Sequence, residues 1–359
     1  MSTVRENKSK KVFVGVSGGV DSSVVAYILK KTGFDVTGVF IRTWTPDWIE
    51  CTWREERRDA MRVCAHLGIP FMECDAEDAY KKGVADYMIE EYRLGRVPNP
   101  DVMCNREVKF GVFWDFARSH GADFVATGHY AQNKLQAGKY SLLAGKDKSK
   151  DQSYFLWKLN QDDLSHTLFP IGHLDKTKVR SIAKKAGLFT GEKKDSQGVC
   201  FLGPLDMKDF LKHYIESEKG FVLNETGEVI GEHDGALFFT LGERHGFTIT
   251  KKTNQDTPYY VVSKDINKNT ITVSHEPKPI DTEKDIKIIN TNWISGAPEE
   301  GKRFFAQVRY HGEYYPCSLV GVKDIDSSVI FEKEKPLVSS GQSIVLYDGE
   351  KCIGGGVIA

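Results

Sequence analysis

No run in this 359-residue chain approaches the roughly 18 consecutive apolar residues that a membrane span requires. The opening stretch, "MSTVRENKSKK", is polar and leads straight into an apolar segment, so neither a secretory leader nor a transit peptide is expected. The seven cysteines (Cys51, Cys64, Cys74, Cys104, Cys200, Cys317, Cys352) include no CxxC pair. That spacing argues against a disulfide scaffold, a zinc site and an iron–sulfur cluster, and it suits a reducing, cytoplasmic setting. An excess of either charge is missing too, the formal net charge being −1. What remains, 40% hydrophobic and 28% charged residues, is the composition of an ordinary globular protein without a membrane partner, long enough for two or three domains.

Whole-chain charge hides one local patch. Between Lys139 and Lys194 twelve Lys and Arg stand against six Asp and Glu. A solvated helical face is the plain reading of such a run, and a nucleic-acid surface the sharper one.

The first half alternates apolar strands with helical periodicity. "KVFVGV", "DVTGVFI", "PFMECD" and "DFVATGH" read as strands, with "SSVVAYILKKTG", "REERRDAMRVCAHLG", "EDAYKKGVADYMIEEYRLG" and "VKFGVFWDFARSHG" as helices between them. The alternation predicts an α/β fold with a Rossmann-like parallel sheet, binding its ligand beyond the strands' carboxyl ends. "DQSYFLWKL", "DKTKVRSIAKKAGL" and "LDMKDFLKHYIES" extend this half as helices. After about Gly220 short alternating strands split by Gly, Asn and Asp turns predict a small central β-rich domain and a C-terminal β-barrel. The expected domains are 8–205, 206–278 and 279–359.

"FVGVSGGVDSS" is the sharpest local signal. It is neither GxGxxG nor GxxxxGK[ST], yet it is a glycine-rich turn between a strand and a helix. Backbone N–H groups and the hydroxyls of Ser17, Ser22 and Ser23 can surround phosphate there, and Asp21 beside phosphate implies a magnesium ion between them. The motif resembles that of the PP-loop ATP pyrophosphatases, which split ATP into AMP and pyrophosphate. On this signal alone the acceptor and the nucleophile stay open.

Two cysteines stand apart from the rest. "GRVPNPDVMCNREVKFG" places Cys104 in a proline-broken loop before a helix, near Asn99, Asp101 and Arg106, where a helix start beside a base favours thiolate. "KKDSQGVCFLG" sets Cys200 between Gly198 and Gly203, after Lys193 and Lys194. Cys64, Cys74, Cys317 and Cys352 fall on helix or strand patterns and read as packing.

Together with "ATGHY", "KDQSYFL", "LFPIGHL" and "GQSIVLYDGEKCIGGG", these blocks make the whole chain resemble the tRNA-specific 2-thiouridylases, which replace the C2 oxygen of the wobble uridine with sulfur. The resemblance implies ATP with magnesium as cofactor, and as partners the tRNA anticodon arm, a persulfide donor (a cysteine desulfurase or a relay protein) and a reductant. It makes Cys104 the nucleophile and Cys200 the persulfide carrier, joined in a transient disulfide, with Asp101 managing the base's proton. ATP is assigned Gly15, Val16, Ser17, Gly18, Gly19, Val20, Asp21, Ser22, Ile41 and Gly128. The target base is assigned Asn99, Pro100 and Asp101. Further tRNA contacts fall on His129, Lys150, Asp151, Gln152, Arg309, Tyr310 and Gln342. For His129 a satisfied buried histidine is the plain alternative, and one of Arg309 and Tyr310 should face a core. Two rival functions remain: an amide-forming PP-loop ligase of the argininosuccinate or GMP synthetase type, and a non-enzymatic, nucleotide-responsive RNA-binding protein.

Overall fold

The computed structural model describes residues 10–49, 53–194, 206–250, 257–279, 285–323, 325–333 and 335–359. Four apolar strands build the first sheet: β1 (Lys11–Gly15), β2 (Asp35–Arg42), β3 (Phe71–Asp75) and β4 (Phe124–Ala126). A two-residue strand, Thr167–Leu168, adds to its edge, and every pairing in this sheet is parallel. Successive side chains point to opposite faces, so Val12 and Val14 pack against one layer of helices and Phe13 against another. On the first side lie α1 (Val20–Lys31), α2 (Trp53–Leu67) and α5 (Lys176–Lys185). On the second, Phe113 and Ala117 of α4, a continuous helix over 100–119, cover Phe13, Val39 and Val125. A further helix, α3, runs over 77–93.

β1 lies between β2 and β4. The loop after β1 leads through α1 toward β2, while the loop after β4 belongs to the other half of the sheet. The crevice between these two loops is where a doubly wound sheet takes its ligand.

A second sheet forms the central unit from β8 (Gly220–Leu223), β9 (Val229–His233), β10 (Phe247–Ile249), β11 (Tyr260–Asp265) and β12 (Thr270–Ser274), in the order β10-β9-β8-β12-β11, around Val222, Phe239, Val261 and Ile271. The C-terminal strands β13 (Asp285–Trp293), β14 (Arg303–Gln307), β15 (Tyr314–Val320), β16 (Asp326–Phe331), β17 (Ser343–Asp348) and β18 (Lys351–Ile358) close on themselves through β13–β18 pairing. The result is a six-stranded barrel filled by Ile288, Phe304, Leu319, Val329 and Leu346.

Two elements differ from the sequence reading. A hairpin, β5 (Ala131–Gln136) and β6 (Lys139–Ala144), turns at Ala137 and Gly138, both at positive φ, and joins the barrel through Leu142 and Leu143 opposite Cys352 and Lys351. The first unit is thereby stitched to the last. "DQSYFLWKL" is not a long helix but a single tight turn, Ser153–Leu156. Tyr154, Leu156, Trp157 and Leu159 are all buried, and along the stretch only Gln152, Phe155 and Lys158 stay partly open. The Asn292 amide from the barrel donates to the carbonyls of Trp157 and Leu159, at 2.7 and 3.0 Å, in place of helical partners. No helix among the described residues is long and apolar enough to cross a membrane.

Candidate active site

The loop 15–19 leaves β1 and enters α1, and its shape is set by its own polar atoms. Ser17 N–H donates to Ser22 Oγ at 3.2 Å, and the Ser23 hydroxyl donates to Gly19 O at 2.6 Å. Gly18 has φ +72, and a Cβ there would stand 2.8 Å from Asp59 Cβ and 2.9 Å from Glu56 O of α2. Only glycine suits both the backbone conformation and the space. The loop after β4 comes equally near, since a Cβ on Gly128 would lie 3.1 Å from Asp21 Cβ and from Ser22 N. Ile41, at the end of β2, packs under the loop beside Gly15. The sequence-predicted ATP residues thus converge on the crevice at the start of α1, whose first N–H groups lack helical partners and favour an anion.

Asp21 is ion-paired. Lys176 Nζ lies 2.9 and 2.8 Å from its two carboxylate oxygens, and the Tyr130 hydroxyl donates to Oδ1 at 2.7 Å. Sequence reasoning missed both partners: Lys176 sits in no quoted motif, and Tyr130, though it ends "ATGHY", meets Asp21 only in the fold. Lys193 also reaches the loop, donating to Gly18 O at 3.2 Å and to Asp59 at 3.0 Å.

Cys104 is not in a loop. Asn99 caps a helix by accepting from Val102 N–H at 3.2 Å, and Pro100 occupies the first turn, where its missing N–H costs nothing. Cys104 is therefore inside α4 and 2% exposed, with its own N–H directed to the Pro100 and Asp101 carbonyls. Arg106, expected to favour the thiolate, instead pairs with Asp163 at 3.2 Å. From Cys104 to Val112 the helix widens to the i+5 pattern, and the facing helix α3 widens likewise over Lys81–Asp86, with Gly83 making room for Glu107. Such wide turns recur at functional sites. Burial holds the Asp101 carboxyl above the usual carboxylate range, partly offset by Lys109. Burial pushes the thiols of the packing cysteines Cys64 and Cys74 up to about 11, and those of Cys317 and Cys352 up to about 12. Cys51 and Cys200 lie outside the described residues.

A family model described as tRNA methyl transferase HUP domain matches residues 10–204. Models described as tRNA methyl transferase PRC-barrel domain and aminomethyltransferase beta-barrel domain match 208–275 and 283–358. The tRNA-specific 2-thiouridylase MnmA 2 of Geobacillus kaustophilus (strain HTA426) is 44% identical over 353 residues, covering 97% of this chain and 94% of that protein. The tRNA-specific 2-thiouridylase MnmA of Francisella philomiragia subsp. philomiragia is 41% identical over 357 residues, or 98% and 99% of the two chains. This chain belongs to the tRNA-specific 2-thiouridylase family. Among solved structures, a 4-thiouridine synthetase–RNA complex with bound ATP is a distant likeness: 19% identity and TM-score 0.36, covering 57% of this chain and 50% of that one.

The remaining residues assigned from the thiouridylase resemblance fall into two sets. Several are used inside the fold. His129 is buried against Phe110 and Phe169, its Nδ1 is 2.8 Å from the Thr127 hydroxyl, and burial holds its pKa well below the ordinary value. Its ring is not on the surface, which is the plain alternative weighed above. Asp151 accepts from the N–H groups of Gly145 and Ser153 at 2.8 and 3.0 Å, and Gln152 exchanges hydrogen bonds with the Tyr130 backbone. Gln342 caps the turn at Ser339, and Arg309 donates to Leu241 O and Leu337 O at 2.6 and 3.1 Å, tying the central unit to the barrel. Lys150 keeps a partly open position.

The second set gathers near Cys104. Tyr310, half-buried, stacks on His311 at 3.9 Å and meets the tilted Phe155 ring at 4.4 Å. Burial, with Asp151 and Asp101 nearby, pushes its hydroxyl up to about 12. The Tyr154 hydroxyl donates to Ser343 O at 3.0 Å, and the Asn99 side chain lies close to it. Asn99, Asp101 and Tyr310 therefore share one neighbourhood next to the Cys104 helix. A small cleft there also holds Met103 and Lys158, whose ammonium is 3.5 Å from Met103 Sδ.

Proposed function

We propose that this protein is a tRNA-uridine 2-sulfurtransferase that makes 2-thiouridine at the anticodon wobble position, the family's substrates being the Lys, Glu and Gln tRNAs. The observation that supports the reading most is the coincidence of two sites in one family member: a glycine-rich crevice at the start of α1 without a Walker lysine, and a buried cysteine beside a perturbed carboxyl.

The uridine O2 attacks the α-phosphorus of ATP, and pyrophosphate leaves. This turns a poor leaving group into AMP. The crevice at the start of α1 holds the phosphates. Asp21 fits a hard cation, and it would hold the magnesium that neutralises phosphate charge. Asn99 and Asp101 face the base, and the Asp101 carboxyl, whose pKa burial raises, exchanges the base's proton. The terminal sulfur of a Cys200 persulfide then reaches C2, and AMP departs. In the same exchange Cys104 Sγ bonds to Cys200 Sγ, so sulfur leaves the protein with its electron pair. A reductant supplies two electrons to reopen the disulfide. The basic 139–194 segment and the β units clamp the anticodon arm.

The test is the ATP product in the presence of unmodified tRNA. AMP and pyrophosphate, released only with tRNA and lost in Asp21→Ala, are expected. ADP and phosphate would exclude the reading. Turnover independent of RNA would favour the amide ligase, and no turnover with intact tRNA binding would favour the RNA-binding protein.

A further inference from the structure

Lys158 is a half-buried cation that the fold leaves without a counter-charge. Its neighbours in sequence are fixed: Asn292 of the barrel holds the carbonyls of Trp157 and Leu159, and the Trp157 indole N–H donates to Ser343 Oγ at 3.2 Å. The side chain is thereby sent toward α4, where the ammonium comes within 3.5 Å of Met103 Sδ and 5.5 Å of the centroid of the Trp157 ring. Neither is an anion. Glu107 acts on it only from a distance, and a Cβ on Gly83 of α3 would lie 2.9 Å from Glu107 Cγ, so the stem of that carboxylate is held against α3. Arg106, also nearby, is taken by Asp163. Among the described residues no hydrogen bond or ion pair joins Lys158 to a carboxylate. Burial pulls its pKa down, as it does for a charge drawn from water without a partner. The ammonium borders the small cleft whose other walls include Tyr87 and Asn99 on the helices and Gly341 and Ser343 on the barrel. Asn99 is the residue that faces the target base in the reading above, and Met103 directly precedes Cys104.

We propose that Lys158 binds an RNA phosphate flanking the target uridine and so seats the anticodon loop against the Cys104 helix; this rests on the tRNA reading above. A uridine placed at Asn99 and Asp101 brings a phosphate with it on either side of its ribose. The phosphate oxygens supply the counter-charge that the fold lacks, and a compact ammonium on a flexible stem suits a single point contact. Such a contact reads no sequence. It fixes the register of the strand, so that the base enters beside Cys104 rather than sliding past it. In the free protein the unmet charge destabilises the fold, and the bound phosphate relieves it.

Fluorescence anisotropy of labelled, unmodified tRNA with the full chain, over a salt series, tests this, with urea unfolding of each variant alongside. Lys158→Met should weaken tRNA binding roughly fivefold or more at low salt, the loss of one charge-assisted contact. The salt slope should become shallower by about 0.7, the value for one contact to a single strand. The same variant should unfold at the wild-type urea midpoint or above it, because a site lined by a thioether and an indole accepts methionine better than an unpaired cation. Lys158→Arg should keep most of the affinity and the slope, and ATP binding should be unchanged in both variants. Wild-type tRNA affinity in Lys158→Met overturns the proposal. Weakened binding with an unchanged slope overturns it as well, since that means an altered shape and not a lost phosphate contact. So does a lowered urea midpoint or a failure to fold, because the ammonium would then serve the fold. A wild-type chain that binds no tRNA at any salt would overturn the tRNA reading itself.

Discussion

Gly18→Ala isolates what the nucleotide loop demands of its backbone. The substitution places a Cβ on a residue at φ +72, a conformation that costs an L-residue about 1 kcal/mol. That Cβ also meets Asp59 Cβ at 2.8 Å and Glu56 O at 2.9 Å, and neither can yield cheaply because both belong to the body of α2. Overpacking of this kind adds about 1–3 kcal/mol, for a total of about 2–4 kcal/mol. Gly138→Ala is the matched control: φ is +76, yet a Cβ there meets nothing within 4 Å, so only about 1 kcal/mol is lost. Urea denaturation of both variants, followed by ATP titration, separates the two terms. Gly18→Ala should lose at least about 1 kcal/mol more than Gly138→Ala, and its ATP affinity should fall while that of Gly138→Ala stays. Equal stability losses, or wild-type ATP affinity in Gly18→Ala, would refute the claim that the loop is held against α2.

His129, buried with a lowered pKa, binds fewer protons folded than unfolded at acid pH, so it destabilises the fold as pH drops below 6.5, by up to about 1.4 kcal/mol per unit. His129→Gln should flatten the fall in urea midpoint between pH 7 and pH 5; an unchanged profile would mean the ring is protonated when folded. Affinity for tRNA should decline with salt, but Lys146, Lys148 and Lys193 already pair with Asp175, Glu350 and Asp59. Neutralising them should therefore flatten the slope by only about half of the ~0.7–0.9 expected per freely acting charge. An unchanged slope returns these lysines to a solvated face. Cys200→Ser should accept no persulfide, while Cys104→Ser should load sulfur but thiolate poorly; peptide mapping that finds both thiols reduced after one turnover without reductant would contradict the division of roles.

The parallel sheet was legible because Val12, Val14, Val36 and Val39 are buried on both faces and read as apolar runs whatever surrounds them. The nucleotide loop was legible because its glycines and hydroxyls act through their own backbone. The β5–β6 hairpin was overlooked: its alternation is partly exposed, and its pairing partner in β18 lies some two hundred positions away. "DQSYFLWKL" misled because its apolar residues imitate helical spacing, while the Trp157 and Leu159 carbonyls are in fact taken by Asn292 of the distant barrel. Cys104 was assigned to a loop on the strength of Pro98 and Pro100, yet proline at the first helical position starts a helix as readily as it breaks one. Lys176 carries no local signature, and Tyr130 ends the block "ATGHY" without a hint of its partner, since only the fold brings both to Asp21.

The central claim is sulfur transfer to a tRNA uridine. Persulfide-loaded protein, ATP, magnesium and unmodified tRNA are incubated for a single turnover, and the RNA is digested to nucleosides for mass spectrometry. The account predicts 2-thiouridine in proportion to AMP formed, absent without ATP and absent with Cys200→Ser. A methylated uridine, or AMP released with every uridine unchanged, would contradict it.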